Sequence, residues 1–356
     1  MSLLALIGTD KGLFLLRTDD ERASWSIDGP TFKGWKVTAT ARDAAGRFWA
    51  ATASDVYGPA LHVSDDARAW TQLDAGPEWP KESGREMRQF WTLALHGDRM
   101  YVGTDDAGLF ASDDGGATWF GFDALNEHPS RANWYPGAGG LCLHAVLVDA
   151  RDAQRIWAAI SSVGVLRSDD GGATWTLRND GIPPMLADDR FPDIGRCVHG
   201  LAADPDDANA IWRREHNGMF RTRDGGDSWE RVEHGLGSWF GFPLAIDRRT
   251  KALFDVPLES DEYRLMPDGA MAVYTSVDGG DSWRALRGGL PQRHAYPGVL
   301  RAALALDHRD PCGIVFGTTA GAIFTSRDAG ETFARLDCML PRVLSVELYD
   351  VGDETA

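Results

Sequence analysis

Histidine, carboxylate and arginine residues recur at matched places along this chain of 356 residues. His144 and His199 each stand two residues after a cysteine (Cys142 and Cys197), in similar apolar segments. His216 lies in Glu215-His216-Asn217-Gly218, a short polar turn. Imidazoles with an acidic neighbour such as Glu259 or Asp261 suit zinc or another divalent ion. The same three rings also suit contact with a polar ligand, or plain packing in repeated units. Ligand contact without a resident cofactor is the expectation, with a divalent metal on His144, His199 and His216 as the alternative.

Carboxylates form a second group. Glu259, Asp261, Glu262 and Arg264 sit together in one polar stretch, and Asp188, Asp189 and Asp193 in another. Glycoside hydrolysis uses two carboxyl groups whose separation sets the stereochemical outcome. Glu259, Asp261, Asp193 and Glu86 are the catalytic candidates, and a solvated acidic loop is the plain alternative. Arg88, Arg196 and Arg301 precede equivalent apolar strands, where guanidinium groups would converge on an anion. Trp35, Trp79, Trp91, Trp134 and Trp239, with Phe90, Tyr135, Phe240 and Phe242, supply faces for sugar stacking or for core packing. Trp91 and Trp134 join the arginines and histidines as candidate ligand contacts. There is no glycine-rich phosphate loop, nucleophile elbow or HExxH pair.

What positions these residues is a repeat. Ser168-Asp169-Asp170-Gly171-Gly172-Ala173-Thr174-Trp175 has close copies at 112–119, 222–229, 276–283 and 326–333, and worn ones at 18–25 and 64–70. Arg22 replaces the glycine in the first worn copy. The closing aromatics Trp25, Trp70, Trp119, Trp175, Trp229, Trp283 and Phe333 recur every 45–56 residues, a period that signals a solenoid or propeller. Within the octapeptide the aspartate can accept bonds from the backbone ahead of it, and glycine takes positive φ without a Cβ clash. Asp114, Asp170, Asp224, Asp278 and Asp328 are therefore structural.

Each repeat reads as four short strands, the pattern of one propeller blade. The blades cover roughly 3–27, 35–74, 88–123, 140–180, 196–233, 241–286 and 299–337. The first lacks a leading strand, and 342–350 is a leading strand without a blade. The expectation is an all-β, seven-bladed β-propeller, one domain over 1–356, closed by 342–350 pairing with 3–9. Antiparallel order puts the octapeptides on one side. The connectors 74–88, 123–140, 178–196 and 287–298, and an insertion at about 255–269, then fall on the other, where binding usually sits.

A net charge of −17 and a pI near 4.9 argue against nucleic acid or an anionic membrane as partner. The first residues lack the basic start of a secretion signal, and no apolar run is long enough to span a membrane. The four cysteines form no CxxC pair. A cytoplasmic location follows as an expectation.

The octapeptides resemble those of Asp-box (BNR) repeat propellers, a superfamily with sialidases, xyloglucanases, sortilin-type receptors and a photosystem II assembly factor among its members. Gly8-Thr9-Asp10-Lys11-Gly12, Gly139-Gly140-Leu141-Cys142-Leu143-His144, Cys197-Val198-His199, Pro257-Leu258-Glu259-Ser260-Asp261-Glu262 and Phe316-Gly317-Thr318-Thr319 resemble a bacterial group of stand-alone BNR-repeat proteins, over essentially the whole chain. Those carry a glycosyl hydrolase or exo-alpha-sialidase-like label, which rests on the repeats. Fold alone does not give function. True sialidase activity is not expected, because the Arg-Ile-Pro type motif is absent and the ring has seven blades rather than six. The expected role is binding of a small polar ligand, a glycan or a partner's segment on the connector side. Glycoside hydrolysis is the alternative, and protein docking a further one.

Overall fold

The structure, a computed structural model, describes residues 2–137, 139–185 and 192–352. Asp188 and Asp189 lie outside the described residues. Among these residues 28 strands form seven four-stranded antiparallel sheets, the blades of a β-propeller. Six sheets take their strands in chain order. The seventh joins the two ends of the chain. Val343–Val351 pairs with Ser2–Thr9, which pairs in turn with Gly12–Thr18 and then Ser26–Thr31. Leu3 faces Asp350 and Leu6 faces Glu347 across that junction, as the missing leading strand requires.

The octapeptide is a hairpin turn locked by its own side chains. Ser112 Oγ donates to Asp114 Oδ1 at 2.8 Å and accepts from the Gly116 N–H at 2.8 Å. Thr118 donates its N–H to Oδ1 at 2.9 Å and its hydroxyl to Oδ2 at 2.6 Å. The same set recurs around Asp170, Asp224, Asp278 and Asp328. These bonds stabilise the ionised carboxylate. The hydroxyls of Thr118, Thr174 and Ser282, followed by the backbone N–H groups of the same residues, hold Asp114, Asp170 and Asp278 down to about 2. The closing tryptophan also ties repeats together: Trp283 Nε1 donates to the Val232 carbonyl at 2.9 Å.

The worn copy at 18–25 has become a pin. Arg22 occupies the turn at φ 55°, and its guanidinium donates to Asp307 Oδ2 at 2.7 Å and to the Pro311 carbonyl at 2.9 Å. Asp307 has no side-chain exposure, and its other oxygen accepts from the N–H groups of Arg309 and Gly313. Arg22→Gly would restore the repeat consensus and relieve about 1 kcal/mol of left-handed strain. It would also strip a buried carboxylate of its counter-charge, at about 3 kcal/mol. Loss wins. Urea unfolding should show a net destabilisation of about 2 kcal/mol, and a variant as stable as the parent would refute the pin.

The chain groups into two units, residues 1–37, 214–220 and 231–356 in the first and 38–213 with 221–230 in the second. In the first, a core of Phe240, Phe254, Val273, Ile314, Phe316 and Val346 lies between sheets. In the second, Tyr101, Leu109, Leu143, Ile156 and Trp175 do the same. The connectors contain more regular structure than their sequence suggested. Asp123–Asn126 is a turn of α-helix, and Lys81–Ser83 and Arg131–Asn133 are 3-10 turns. The insertion expected from about 255 begins later, because Leu253–Leu258 is a strand. A buried partner for Asp255 allows that carboxylate to lie inside it.

Candidate functional site

The site that assembles lies wholly in the first unit, on the connector side, and is built on a buried ion pair. Arg214 Nε is 3.3 Å from Asp255 Oδ1, and neither side chain has any exposure. The strand Ile211–Glu215 carries Arg214 past the start of the strand Phe240–Ile246. Only glycine allows this approach, since a Cβ on Gly241 would lie 2.7 Å from Arg214 Nη2. The guanidinium then donates from Nη1 to the Trp239 carbonyl at 2.8 Å. Burial pushes the Asp255 carboxyl up to about 6 despite the opposing Arg214 charge. A pair hidden from solvent thus fixes the backbone of Trp239, a residue that stays 43% exposed.

Next to Trp239 stands the loop after Leu258. It is closed by its own backbone, with Glu259 N–H donating to the Leu265 carbonyl at 2.7 Å and Arg264 N–H to the Ser260 carbonyl at 3.0 Å. Arg264 Nε donates to the Asp261 carbonyl at 3.0 Å, and Ser238 Oγ ties the loop to the Trp239 connector through the Glu259 carbonyl. This loop presents Asp261 to His216, with Oδ2 and Nε2 3.0 Å apart. A carboxylate can only accept, so Nε2 carries the hydrogen. The imidazole packs edge-on against Phe240 at 5.2 Å and lies 6.4 Å from the Trp239 ring. A half-exposed carboxylate with one oxygen held by an imidazole, beside an exposed indole face, can grip a sugar hydroxyl while the ring stacks.

The other nominated residues sit elsewhere or do other work. Glu86 and Arg88 pair with each other at 2.9 Å on the surface, and the Arg88 N–H also donates to Asp105. Arg196 is buried, donating to the carbonyls of Ile182, Ile194 and Pro192. Asp193 is exposed, with its carbonyl accepting from Asn179. Trp91 is half-buried. Trp134 is buried, stacked at 6.0 Å on His128 with Arg131 over its face, so it serves packing. His144 and His199 are buried in the leading strands Leu143–Asp149 and Val198–Ala203. Cys197, His199 and His216 are of metal-ligating types. Arg301 reaches the site described above, over the Phe242 ring at 4.9 Å. Arg214 and Asp255 were missed by sequence reasoning. Their signal was a lone carboxylate inside the otherwise apolar strand Leu253–Leu258 and charged residues at the end of the strand Ile211–Glu215.

The chain is similar to a xyloglucanase of Hypocrea jecorina (strain QM6a), 26% identical over 266 residues, or 65% of this chain and 30% of that protein. Xyloglucanase Xgh74A of Acetivibrio thermocellus is 27% identical over 257 residues, or 64% of this chain and 29% of its own length. The chain therefore spans about three tenths of the xyloglucanases it matches. An ancestral GH74 enzyme superposes with a TM-score of 0.56 at 15% identity, over 88% of this chain and 38% of that one. The structure of YCF48 bound to D1 peptide superposes with a TM-score of 0.54 at 15% identity, over 84% and 81% of the two chains. At that identity the superpositions speak for the fold alone. No protein family profile matches. The chain is a seven-bladed propeller with GH74 xyloglucanase homologues at modest identity.

Proposed function

We propose that this BNR-type propeller engages an oligosaccharide on the connector side of its first unit and acts on it as a glycoside hydrolase. The observation that carries the reading is Trp239, an exposed indole whose backbone is fixed by Arg214, standing beside the Asp261–His216 pair. Stacking on the indole would hold a sugar ring while Asp261 and Glu259, on one closed loop, supply the two carboxyl groups that glycoside cleavage needs. Xyloglucanase relatives support a β-glucan as the substrate class.

The test uses the full chain with xyloglucan oligosaccharides and a panel of chromogenic glycosides. Reducing-end release is expected, with a fall of about a hundredfold or more in Asp261→Asn, as for loss of a general acid or base. Trp239→Ala should weaken binding by about tenfold, the worth of one aromatic stack. Binding that Trp239→Ala weakens, without any turnover, would leave the simpler role of a saccharide-binding module, which the exposed Trp239 also favours. A panel that neither binds nor reacts would refute both.

A further inference from the structure

Two exposed aromatic residues of the first unit border the two ends of one insertion. The insertion separates the strands Leu253–Leu258 and Val273–Ser276. It begins at Glu259, whose carbonyl accepts from Ser238 Oγ at 3.2 Å, next to Trp239. It closes with the 3-10 turn Pro267–Gly269, and there it meets Tyr296, a residue that stays 52% exposed.

The ring of Tyr296 rests on bare backbone. A Cβ on Gly269 would lie 3.0 Å from Tyr296 Cε1, 3.2 Å from Cζ and 3.3 Å from the hydroxyl oxygen. Near-equal distances to three atoms that share no line place the glycine over one face of the ring rather than beside its edge. Only glycine serves here, because its φ of 61° is left-handed and a side chain would displace the ring. One covered face on a half-exposed residue leaves the other face to solvent.

The backbone around Tyr296 is fastened on both sides. Ala295 N–H donates to the Gly269 carbonyl at 2.9 Å, and Met271 N–H to the Pro291 carbonyl at 2.9 Å. Gly298 N–H donates to Thr319 Oγ1 at 3.0 Å, and the Gly298 carbonyl accepts from Thr319 N–H at 2.9 Å. Pro297 fixes φ between these anchors. A ring held in this way loses little further freedom when a ligand stacks on it. Trp239 is held on the same principle by Arg214, and the insertion that carries Asp261 runs from one to the other.

We infer that Tyr296 is a second stacking platform, and that the ligand is a saccharide chain long enough to extend along the insertion from Trp239 to Tyr296. This inference rests on the saccharide reading above and narrows its substrate to chains that reach well beyond the sugar on Trp239.

Isothermal titration of the full chain would compare a β-1,4-glucan disaccharide with the hexasaccharide. The longer ligand should bind about tenfold tighter, the worth of one further aromatic stack. Tyr296→Ala should erase that difference. Tyr296→Phe should keep it, since the ring face and not the hydroxyl makes the contact. Circular dichroism would confirm that each variant is folded. Equal affinity of the parent for the two ligands, or a length preference that survives Tyr296→Ala, overturns this inference alone. A Tyr296→Ala chain that loses affinity equally for both ligands would place Tyr296 in the first stack and overturn a second platform. If neither ligand binds the parent, the inference falls together with the saccharide reading.

Discussion

Deleting residues 340–356 should abolish cooperative melting, or lower the melting temperature so far that the chain is largely unfolded at 37 °C. The strand lost, Val343–Val351, buries Val343, Val346 and Val351 almost completely. Three such side chains are worth about 5–9 kcal/mol at 1.5–3 each. That alone approaches the total stability of an ordinary domain, about 5–15 kcal/mol. The deletion also removes the ladder along Ser2–Thr9, whose residues Leu3 to Ile7 are fully buried. It breaks the bonds from Val343 N–H to the Thr318 carbonyl and from Val346 N–H to the Ala302 carbonyl as well. What remains is a bare apolar strand edge, a template for aggregation. Scanning calorimetry of the truncated and full chains decides the matter. An unchanged transition would refute closure by this strand.

The second large effect is expected at Arg214. Arg214→Met leaves Asp255 alone in the interior, and removal of one partner of a fully buried pair costs about 3–5 kcal/mol. The deficit should depend on pH. Asp255 titrates at about 6 in the native protein against 3.8 for the free side chain, with burial as the main cause. Between those values the native state binds a proton that the unfolded chain has released. Stability therefore falls as pH rises through that window, and the contribution is fully present only below it. Without Arg214, burial acts unopposed and the carboxyl rises further. The variant should be worst near pH 8 and lie within about 1–2 kcal/mol of the parent near pH 5. Arg214→Met with Asp255→Leu should recover most of the loss at pH 8, because neither member of the pair is then left without the other. A deficit that is flat with pH would mean that packing, rather than the stranded carboxylate, sets the cost. Because Arg214 also bonds the Trp239 carbonyl, the single variant should weaken saccharide binding too.

The blades were legible because their turn is a local device. One octapeptide contains the serine, aspartate, glycine and hydroxyl that close it, so fixed residue types recur at fixed offsets. Closure was legible for a related reason, since a blade without a leading strand and a leading strand without a blade have one economical solution. The site was only half legible. His216, Asp261, Trp239 and Arg301 were nominated on their own, but the pairing of His216 with Asp261 depends on how the 259–265 loop folds back. Backbone bonds made by Glu259 and Arg264 decide that, and they leave no mark on residue type. Asp255 misled for a physical reason. A carboxylate in an apolar stretch reads as the start of a loop unless a counter-charge from another blade is known to wait for it.

Leu3 is partnered by Asp350, so the first sheet cannot be completed until nearly the whole chain has left the ribosome. Contacts of such long range form last and slowly. During synthesis the row from Leu3 to Ile7 stays uncovered along one side, which makes the nascent N-terminal segment a natural client for chaperones.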